Sequence, residues 1–401
     1  MKILIYIGAR FLYAAGGAER ICCNLANEMI HRGHQVSLVC HDVISGKPFY
    51  SLDQRIKLHG LGSPCRLGFF SVVMSKISRL SLLLLHKVSQ IRERVEIYPD
   101  YLKMRKIIED EKPDVILCVY YKSFYTLAKY GQWEIPLVLS HHSNPDNLKY
   151  RIGRQKKNLI NECDVIHVLL PSYRETLAQW TTAPTVAISN AIEPVSEQYF
   201  VDHFREKQTY QIISISRLHK DKQLELLIKS FALLAADYPH WNLVCYGDDK
   251  CSKYRIKLLH LIDQMKLRDR IFLPGRTDAP YDVLSQGDIF AFPTCREGFP
   301  LALCEAMSVK LPAVGLKKTT GVNELIIDRH NGFLADAAPE DFAMKLKFLM
   351  DDPALRMKMG NAGFETMKKY TPGKIWDQWE NFLADTANKA ANLHNGEYEI
   401  I

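Results

Sequence analysis

Residues 297–307 read Glu-Gly-Phe-Pro-Leu-Ala-Leu-Cys-Glu-Ala-Met and place two carboxylates, Glu297 and Glu305, on either side of a short apolar run. Pro300 suits the first turn of a helix, because the N–H group that proline lacks has no partner there. Glu297 is therefore predicted in the loop before a helix, and Glu305 about a turn and a half inside that helix.

The start of this predicted helix favours an anionic or oxygen-rich ligand. The first N–H groups of a helix have no intrahelical partner, so those of Gly298, Phe299 and Leu301 are predicted to point out of its start. Just upstream, residues 288–294 read as a buried parallel strand. The stretch thus follows the carboxyl end of a strand, where open α/β sheets bind ligands. The alternative is a pair of solvated glutamates beside a helix.

The Glu-x7-Glu spacing, directly after a Phe-Pro-Thr strand end, resembles the signature of glycosyltransferase family 4. Members of that family are retaining enzymes of the GT-B fold that use nucleotide-sugar donors. In them the second glutamate holds the nucleotide ribose and the first contacts the donor sugar. The resemblance therefore implies a ribose-binding role for Glu305 and a role at the donor sugar for Glu297.

The composition bounds the class of protein. A chain of 401 residues is long enough for two or three domains, and 47% hydrophobic with 24% charged residues is ordinary for a globular protein. Ten cysteines without a C-x-x-C pair, several of them in apolar strand-like runs, indicate buried, reduced thiols in the cytoplasm. No uninterrupted apolar run is long enough for a membrane span, so none is expected.

The positive charge of the chain is uneven. Residues 1–206 hold 26 Lys and Arg against 20 Asp and Glu, whereas the remainder holds 26 against 25. This excess favours a negatively charged partner for the first half, such as a membrane surface or a phosphorylated glycan. No nucleic-acid motif or arginine-rich run accompanies it, so nucleic acid is not expected as a partner.

Residues 66–106 stand out within that half. Their apolar runs are interleaved with nine Lys and Arg against three Asp and Glu. Basic residues beside an apolar helix face suit an anionic membrane interface, here the cytoplasmic face of the inner membrane. The alternative is a pair of core helices with solvated basic outer faces, and the sequence leaves both interpretations open.

The first half opens as a doubly wound α/β domain. Residues 3–8 form a continuous apolar run typical of a buried strand, and a predicted helix follows the glycine pair Gly16 and Gly17. The loop lacks the G-x-G-x-x-G dinucleotide fingerprint, yet a glycine pair at a helix start lets a phosphate approach the backbone. In the resembled family this loop approaches the donor phosphates and sugar. A tight turn without a ligand is the alternative.

A pair of histidines follows the predicted strand 135–140. A histidine at the carboxyl end of a strand can meet a ligand, and a lone surface histidine is the alternative. The resembled family carries a histidine near this point that contacts the donor sugar. The resemblance assigns that role to His142, with His141 as the second match.

Two cations flank the first strand end of the second half. Arg217 offers a planar fork and Lys222 a point charge, which together suit a diphosphate. The resembled family uses such a pair for that purpose, and two solvated cations are the alternative. Ser216 and Gln223 stand where the family has glycines, and Lys310 occupies a third such position.

The resemblance adds two candidates for the donor site. Arg276 lies in a strand-and-loop segment whose backbone commonly borders the base, and Glu324 matches a glutamate that family members often bring to the donor. Near the end of the chain, Trp376 and Trp379 begin an aromatic stripe at helical spacing. In a GT-B fold the last helix crosses back to the first domain, and this stripe would anchor it there.

The predicted fold is α/β of the GT-B type, with two Rossmann-like, doubly wound domains facing a cleft. The first domain is predicted to span 1–206 and the second, which binds the donor, 207–369. Residues 370–401 are predicted to cross back to the first domain.

By resemblance, the reaction is retaining transfer of a sugar from a nucleotide-diphosphate sugar, UDP in preference to GDP. The expected acceptor is a glycan or lipid-linked glycan of cell-envelope polysaccharide or lipopolysaccharide synthesis. No Asp-x-Asp sequence occurs, so the two cations and helix-terminus amides would carry the charge of the leaving diphosphate, and neither metal nor cofactor is expected. A GT-B nucleotide-sugar epimerase and an inactive membrane-docked scaffold are the alternatives. The missing fingerprint disfavours a nicotinamide oxidoreductase.

Overall fold

The computed structural model describes residues 1–14, 16–44, 46, 48–62, 97–146, 158–247 and 252–394. Of the basic, apolar segment 66–106, only 97–106 lies within these ranges, so most of what the sequence suggests for it falls outside them. Among the helices that these ranges contain, none is long and apolar enough to cross a membrane.

The chain divides into two compact units. Residues Met1–Ser189 and Ile375–Ile401 form the first unit, and Asn190–Lys374 form the second. The predicted boundary after residue 206 therefore lies inside the second unit. The connecting segment packs there, because the Val201 N–H donates to the Val309 carbonyl oxygen (3.0 Å) and His203 Nε2 lies 2.9 Å from that of Lys310.

The first unit is built on a parallel sheet of seven strands in the order β3-β2-β1-β4-β5-β6-β7. Its strands are β1 (Lys2–Ile7), β2 (Gln35–Cys40), β3 (Lys57–Gly60), β4 (Val115–Val119), β5 (Leu137–His141), β6 (Val165–Val168) and β7 (Thr185–Ala187). Its helices within the described ranges before the C-terminal helix include α1 (Gly17–His31), α2 (Tyr98–Glu111), α3 (Tyr121–Tyr130) and α4 (Pro171–Ala178). All five residues of β4 and of β5 are buried, as continuous apolar runs predict for a sheet covered on both faces.

The second unit contains a six-stranded parallel sheet in the order β10-β9-β8-β11-β12-β13. Its strands are β8 (Tyr210–Ile215), β9 (Trp241–Tyr246), β10 (Ile271–Gly275), β11 (Ile289–Phe292), β12 (Ala313–Leu316) and β13 (Gly332–Ala335). Its helices are α5 (Leu224–Ala232), α6 (Ser252–Gln264), α7 (Pro280–Leu284), α8 (Leu301–Ser308), α9 (Val322–Leu325), α10 (Pro339–Asp351) and α11 (Pro353–Met367). Fully buried side chains from the helices, such as Phe231 and Phe342, pack with Leu243 of the sheet into one core.

The last helix, α12 (Pro372–His394), returns the chain to the first unit from Ile375 onward. Trp376 and Trp379 of this helix are buried, and the Trp379 ring lies 4.4 Å from the ring of His167. The aromatic stripe therefore anchors the helix, as its spacing predicts.

The two strand orders locate the ligand-binding edges. In each sheet the order reverses beside the first strand, between β1 and β4 in one unit and between β8 and β11 in the other. Open parallel sheets bind ligands outside the carboxyl ends of their strands at such switch points. The loops that follow these four strands are therefore where functional side chains are expected.

Candidate active site

The glutamate pair of the second unit lies at its switch point. Glu297 occupies the loop between β11 and α8, and Glu305 lies in the second turn of α8 with 7% of its surface exposed. Pro300 is the residue immediately before the helix rather than one inside its first turn. The predicted order of loop carboxylate followed by helix carboxylate is the observed one.

The amides at the start of α8 differ in one respect from the prediction. The Leu301 N–H, which was expected to point freely out of the helix, donates to the Phe299 carbonyl oxygen at 3.0 Å. The chain turns sharply before the helix, and this bond closes the turn. The Leu301 amide is therefore engaged within the loop, while Gly298 lies partly exposed at its outer side.

Lys222 and Glu297 form an ion pair at the carboxyl ends of β8 and β11. Their charged groups, Nζ and Oε1, are in direct contact, and each side chain is 12% exposed. The ammonium also lies 5.7 Å from the centroid of the Phe292 ring, within the range of a cation–π interaction. The structure therefore unites two side chains that the sequence assigned separately, one to the diphosphate and one to the sugar.

Hydrogen bonds lock the loops that carry this pair. The Asp221 carbonyl oxygen accepts from the Cys295 N–H at 2.9 Å and from the Thr294 hydroxyl at 3.3 Å. The Thr319 hydroxyl donates to the Thr294 carbonyl oxygen at 2.7 Å. The loops after β8, β11 and β12 are thus held in one arrangement. Thr294 and Thr319 are not among the residues predicted from the sequence, although a hydroxyl residue just after a buried strand is a usable signal.

Arg217 lies apart from the ion pair. Its side chain is exposed after β8, and its guanidinium makes no hydrogen bond or ion pair with any residue that the structure describes. The backbone beside it is tightly packed, since a Cβ atom on Gly247 would overlap the Ser216 carbonyl oxygen. Glycine is therefore required at position 247, where β9 ends next to β8. Arg217 directly follows this closely packed part of the backbone.

Arg276 occupies a different part of the second unit. It follows β10, the edge strand, and its Nε donates to Asp278 Oδ1 at 2.9 Å. Because β9 lies between β10 and β8, Arg276 is about two strand spacings, roughly 10 Å, along the sheet from the strand that precedes Arg217. The structure thus places Arg276 at the sheet margin.

Tyr370 joins the candidate site although the sequence reasoning did not select it. Its ring lies 5.4 Å from the ring of Phe299 in an edge-to-face contact. Burial raises the pKa of the Tyr370 phenol to about 12, and the neighbouring Cys304 and Glu324 add to that shift. The phenol therefore stays protonated at pH 7, beside the partly buried Glu324 of α9. No sequence signal links residue 370 to residues 299 and 324.

In the first unit, the glycine pair begins α1 as predicted. Gly16 has an extended backbone immediately before the helix, and Gly17 is the first helical residue. The Glu19 carboxylate folds back over Gly16, where a Cβ atom would overlap it. The Tyr120 hydroxyl donates to Glu19 Oε1 at 3.3 Å and holds it there. A carboxylate of the chain itself therefore occupies the space next to these glycines.

The two histidines of the first unit have different surroundings. His141 ends β5, is buried, and has its Nε2 3.0 Å from the Ser143 hydroxyl oxygen. His142 is partly exposed, and its Nε2 lies 2.9 Å from the Ser140 hydroxyl oxygen. Burial lowers the pKa of the His142 imidazole to about 3, with His167 and His141 as smaller causes. The ring is therefore neutral at pH 7.

The candidates thus lie at the carboxyl edge of the sheet in each unit, with Arg276 apart from the others at the sheet margin. Gly16, Gly17, His141 and His142 belong to the first unit, and the remaining candidates belong to the second. In the part of the chain that the structure describes, no three His, Cys, Asp or Glu side chains are grouped as metal ligands would be. In the second unit, Lys222 and Glu297 are in contact at the ends of β8 and β11, next to the helix that carries Glu305.

Comparison with protein families accounts for this arrangement. Residues 15–195 match the model described as Glycosyltransferase Family 4, and residues 195–366 match that of Glycosyl transferases group 1. Together the two matches span residues 15–366, which contain the strands of both sheets except β1. The family matches and the relatives indicate a glycosyltransferase of the hexosyltransferase type, and the similar solved structures show the GT-B fold. The chain belongs to glycosyltransferase family 4.

Among its relatives is a Campylobacter jejuni protein named GalNAc-alpha-(1->4)-GalNAc-alpha-(1->3)-diNAcBac-PP-undecaprenol alpha-1,4-N-acetyl-D-galactosaminyltransferase. The two are 23% identical over 93% of this chain and 96% of the relative. Sucrose-phosphate synthase from Thermosynechococcus elongatus has a similar structure, with a TM-score of 0.76 and 16% identity over 96% of this chain and 98% of that one. The structure of Anabaena Alr3699/HepE, solved with UDP and glucose, is also similar, with a TM-score of 0.71 and 18% identity over 96% of this chain and 100% of that one.

Proposed function

We propose that this enzyme transfers a sugar, with retention of the anomeric configuration and without a metal ion, from a nucleotide-diphosphate sugar to a glycan or lipid-linked glycan. UDP is the preferred nucleotide over GDP, and the product belongs to cell-envelope polysaccharide or lipopolysaccharide synthesis. The observation that carries the proposal is the Lys222–Glu297 pair at the switch point of the second sheet, next to the helix that holds Glu305. The family resemblance supplies the roles.

The nucleotide is assigned to the second unit. A carboxylate near a strand end binds ribose well, because its oxygens accept from both adjacent hydroxyl groups. Glu305 has the chemistry for this role, and its position in α8 fixes its direction. The solved complex of Alr3699/HepE with UDP and glucose, which shares this fold, supports UDP as the nucleotide and a nucleotide-sugar as the donor.

The chemical step is the departure of the diphosphate, and cations stabilise the charge that develops on it. The Lys222 ammonium has three N–H donors, and Glu297 engages one side of it. The ammonium can therefore contact diphosphate oxygens while Glu297 keeps it in place. The exposed Arg217 guanidinium can reach the same group from the end of β8. Two such cations supply the positive charge that a divalent metal supplies in other transferases.

The resemblance gives Glu297 of the second unit and His142 of the first unit each a role at the donor sugar. A carboxylate held by an ammonium accepts hydrogen bonds from sugar hydroxyls, which orients the sugar for transfer. A neutral imidazole can accept one more. These roles come from the resemblance, and the ion pair and the neutral imidazole are consistent with them.

The acceptor is assigned from two observations. The name of the Campylobacter jejuni relative describes a glycan on undecaprenyl diphosphate. Residues 1–206 of this chain carry most of its excess positive charge, which suits an anionic acceptor.

In the described part of segment 66–106, Tyr98 and Leu102 lie one turn apart on α2 and are 43% and 48% exposed. Exposed apolar side chains next to Lys106 suit peripheral contact with the cytoplasmic face of the inner membrane.

Binding of UDP and GDP, measured by calorimetry without metal, tests the donor site. The native protein should bind UDP more tightly than GDP in the presence of EDTA. Glu305→Ala should lose roughly 1.5–3 kcal/mol of UDP binding, as expected for a hydrogen bond to a charged group. Glu340→Ala removes an exposed glutamate of α10 in the same unit and should bind UDP as the native protein does. If neither nucleotide binds the native protein, the donor-site proposal fails.

Two further measurements test the chemical step and the membrane contact. Lys222→Ala should lower the rate of sugar transfer about a hundredfold. Lys220→Ala removes an exposed lysine of the short 3-10 helix Lys220–Lys222 that also contains Lys222, and it should leave the rate unchanged. In co-sedimentation with anionic liposomes at low salt, the protein should be recovered in the pellet with the liposomes. Recovery in the supernatant at low salt would contradict the membrane contact and leave the donor site untouched.

A further inference from the structure

A buried hydrogen-bonded chain leads to His142 in the first unit. β5 and β6 are parallel neighbours, and their register places Ser140 directly opposite His167. The Ser140 hydroxyl oxygen lies 2.9 Å from His142 Nε2 and 2.8 Å from His167 Nδ1. His167 Nε2 in turn lies 2.8 Å from the Ile188 carbonyl oxygen. Ser140 and His167 are fully buried, so water does not compete for these bonds.

The direction of every bond follows from the carbonyl at the inner end. A carbonyl oxygen only accepts, so His167 Nε2 carries a hydrogen and donates it to Ile188. Burial lowers the pKa of the His167 imidazole to about 4, so at pH 7 the ring is neutral and its Nδ1 is a bare acceptor. The single hydroxyl hydrogen of Ser140 therefore goes to His167 Nδ1. The remaining lone pairs of that hydroxyl accept from His142 Nε2.

This order of protons determines the tautomer of His142. The neutral ring has one hydrogen, and the bond to Ser140 places it on Nε2. Nδ1 then has a lone pair and no hydrogen, and it has no hydrogen-bond partner among the residues that the structure describes. A nitrogen in this state accepts a hydrogen bond and cannot donate one.

We propose that Ser140 and His167 are positioning residues that hold His142 as the Nε2–H tautomer, so that its Nδ1 accepts a hydrogen bond from a hydroxyl group of the transferred sugar. The sugar contact rests on the proposed function, whereas the hydrogen-bonded chain does not. The hydrogen-bonded chain also restrains the His142 ring, because its Nε2 is bonded to Ser140 of β5. Trp379 of α12 packs against the His167 ring and so supports the inner end of the hydrogen-bonded chain.

Nuclear magnetic resonance of the ring nitrogens, on protein labelled at histidine and without ligand, reads the tautomer directly. At pH 7 the His142 signals, identified by their loss in His142→Gln, should show a hydrogen on Nε2 alone. His167→Phe keeps an aromatic ring against Trp379 but removes the acceptor, which frees the Ser140 hydrogen for His142 Nε2. In this variant the His142 signals should shift towards the Nδ1–H tautomer, and Ser140→Ala should broaden or mix them.

A matched control comes from the neighbouring pair. The Ser143 hydroxyl oxygen lies 3.0 Å from His141 Nε2, so Ser143→Ala removes an equivalent hydroxyl from the adjacent histidine. The His142 tautomer should be unchanged in that variant. The inference is overturned, whatever the activity, if native His142 carries its hydrogen on Nδ1. It is also overturned if His142 keeps the native tautomer in both His167→Phe and Ser140→Ala.

Kinetics of the same variants separates this inference from the proposed function. His167→Phe should bind UDP alone as the native protein does, because UDP lacks the transferred sugar. Its kcat/KM for the complete nucleotide-sugar donor should fall about tenfold, the effect of one lost hydrogen bond. A changed tautomer with unchanged transfer would overturn the sugar contact and leave the UDP site intact. Failure of the native protein to bind UDP would instead overturn the proposed function, with the tautomer measurement still valid.

Discussion

At the scale of single residues, two substituted glycine positions keep a glycine-like backbone. Gln223 and Lys310 have φ angles of 46° and 64°, in the left-handed region that glycine occupies without strain. Both stand where the family has glycine. Ser216, at the third such position, is not among the described residues with a positive φ. The left-handed backbone explains why glycine suits positions 223 and 310, and this chain tolerates a strain of about 1–2 kcal/mol at each substitution.

Gln223→Gly is predicted to stabilise the protein. The change removes the left-handed strain and a buried Oε1 atom that has no hydrogen-bond partner among the described residues. The greater freedom of glycine in the unfolded chain offsets part of the gain, which leaves a net increase of about 1 kcal/mol in the free energy of unfolding of the second unit. Urea titration followed by tryptophan fluorescence measures it.

The control for this prediction is Lys358→Gly, which places glycine at an exposed position inside α11 of the same unit. This variant should lose about 1 kcal/mol, because glycine disfavours a helix interior. Equal destabilisation by both substitutions would show that the backbone at Gln223 is not strained.

At the scale of elements, α12 acts as a part of the first unit. Leu383 and the two tryptophans of this helix are buried in that unit. Arg32 directly follows α1, and its Nη1 lies 2.7 Å from Asp377 Oδ1 and 2.6 Å from Glu380 Oε2. Partly exposed ion pairs contribute little stability, so the apolar stripe holds the helix and the charges set its orientation.

A chain that ends at Lys374 is predicted to lose the thermal transition of the first unit while that of the second unit is retained. Without α12, the core around His167 is open to water, and the buried surface of two tryptophans is lost. Differential scanning calorimetry separates the two transitions. A chain that ends at His394 keeps α12 and serves as the control. Two unchanged transitions in the shorter chain would contradict the assignment of α12 to the first unit.

At the scale of the whole molecule, three histidines with lowered pKa values make stability depend on pH. The pKa values of His41 and His167 are lowered to about 4 and that of His142 to about 3, mainly by burial. In the unfolded chain, histidine titrates near 6.5. Between pH 6.5 and 4 the unfolded state therefore binds more protons, so the stability present above pH 6.5 is lost as the pH falls.

Each of these histidines is expected to contribute a loss of up to about 1.4 kcal/mol per pH unit below pH 6.5. Urea midpoints measured from pH 7 to pH 5 should fall steadily, in a range above the titration of ordinary carboxylates. His167→Phe should give a shallower slope, because one buried imidazole is removed. A flat profile, or the same slope in the variant, would contradict the burial of these rings.

The sequence by itself determined the fold class, most strands and the helix that carries Glu305. Buried parallel strands are continuous apolar runs, which are local signals, and the runs at 3–8 and 135–140 recur as β1 and β5 with small changes at their ends. The order of the motifs along the chain was sufficient to indicate the family. These features could be predicted because each depends on neighbouring residues only.

Only the tertiary structure decided which side chains meet. His167 joins His142 because the register of β5 and β6 aligns Ser140 with it, and Tyr370 meets Phe299 because the chain returns past α8 before α12. The segment 190–206 belongs to the second unit for the same reason, since its partners Val309 and Lys310 are distant in sequence. Contacts of this kind follow from strand order, register and packing, which no local pattern of residues encodes.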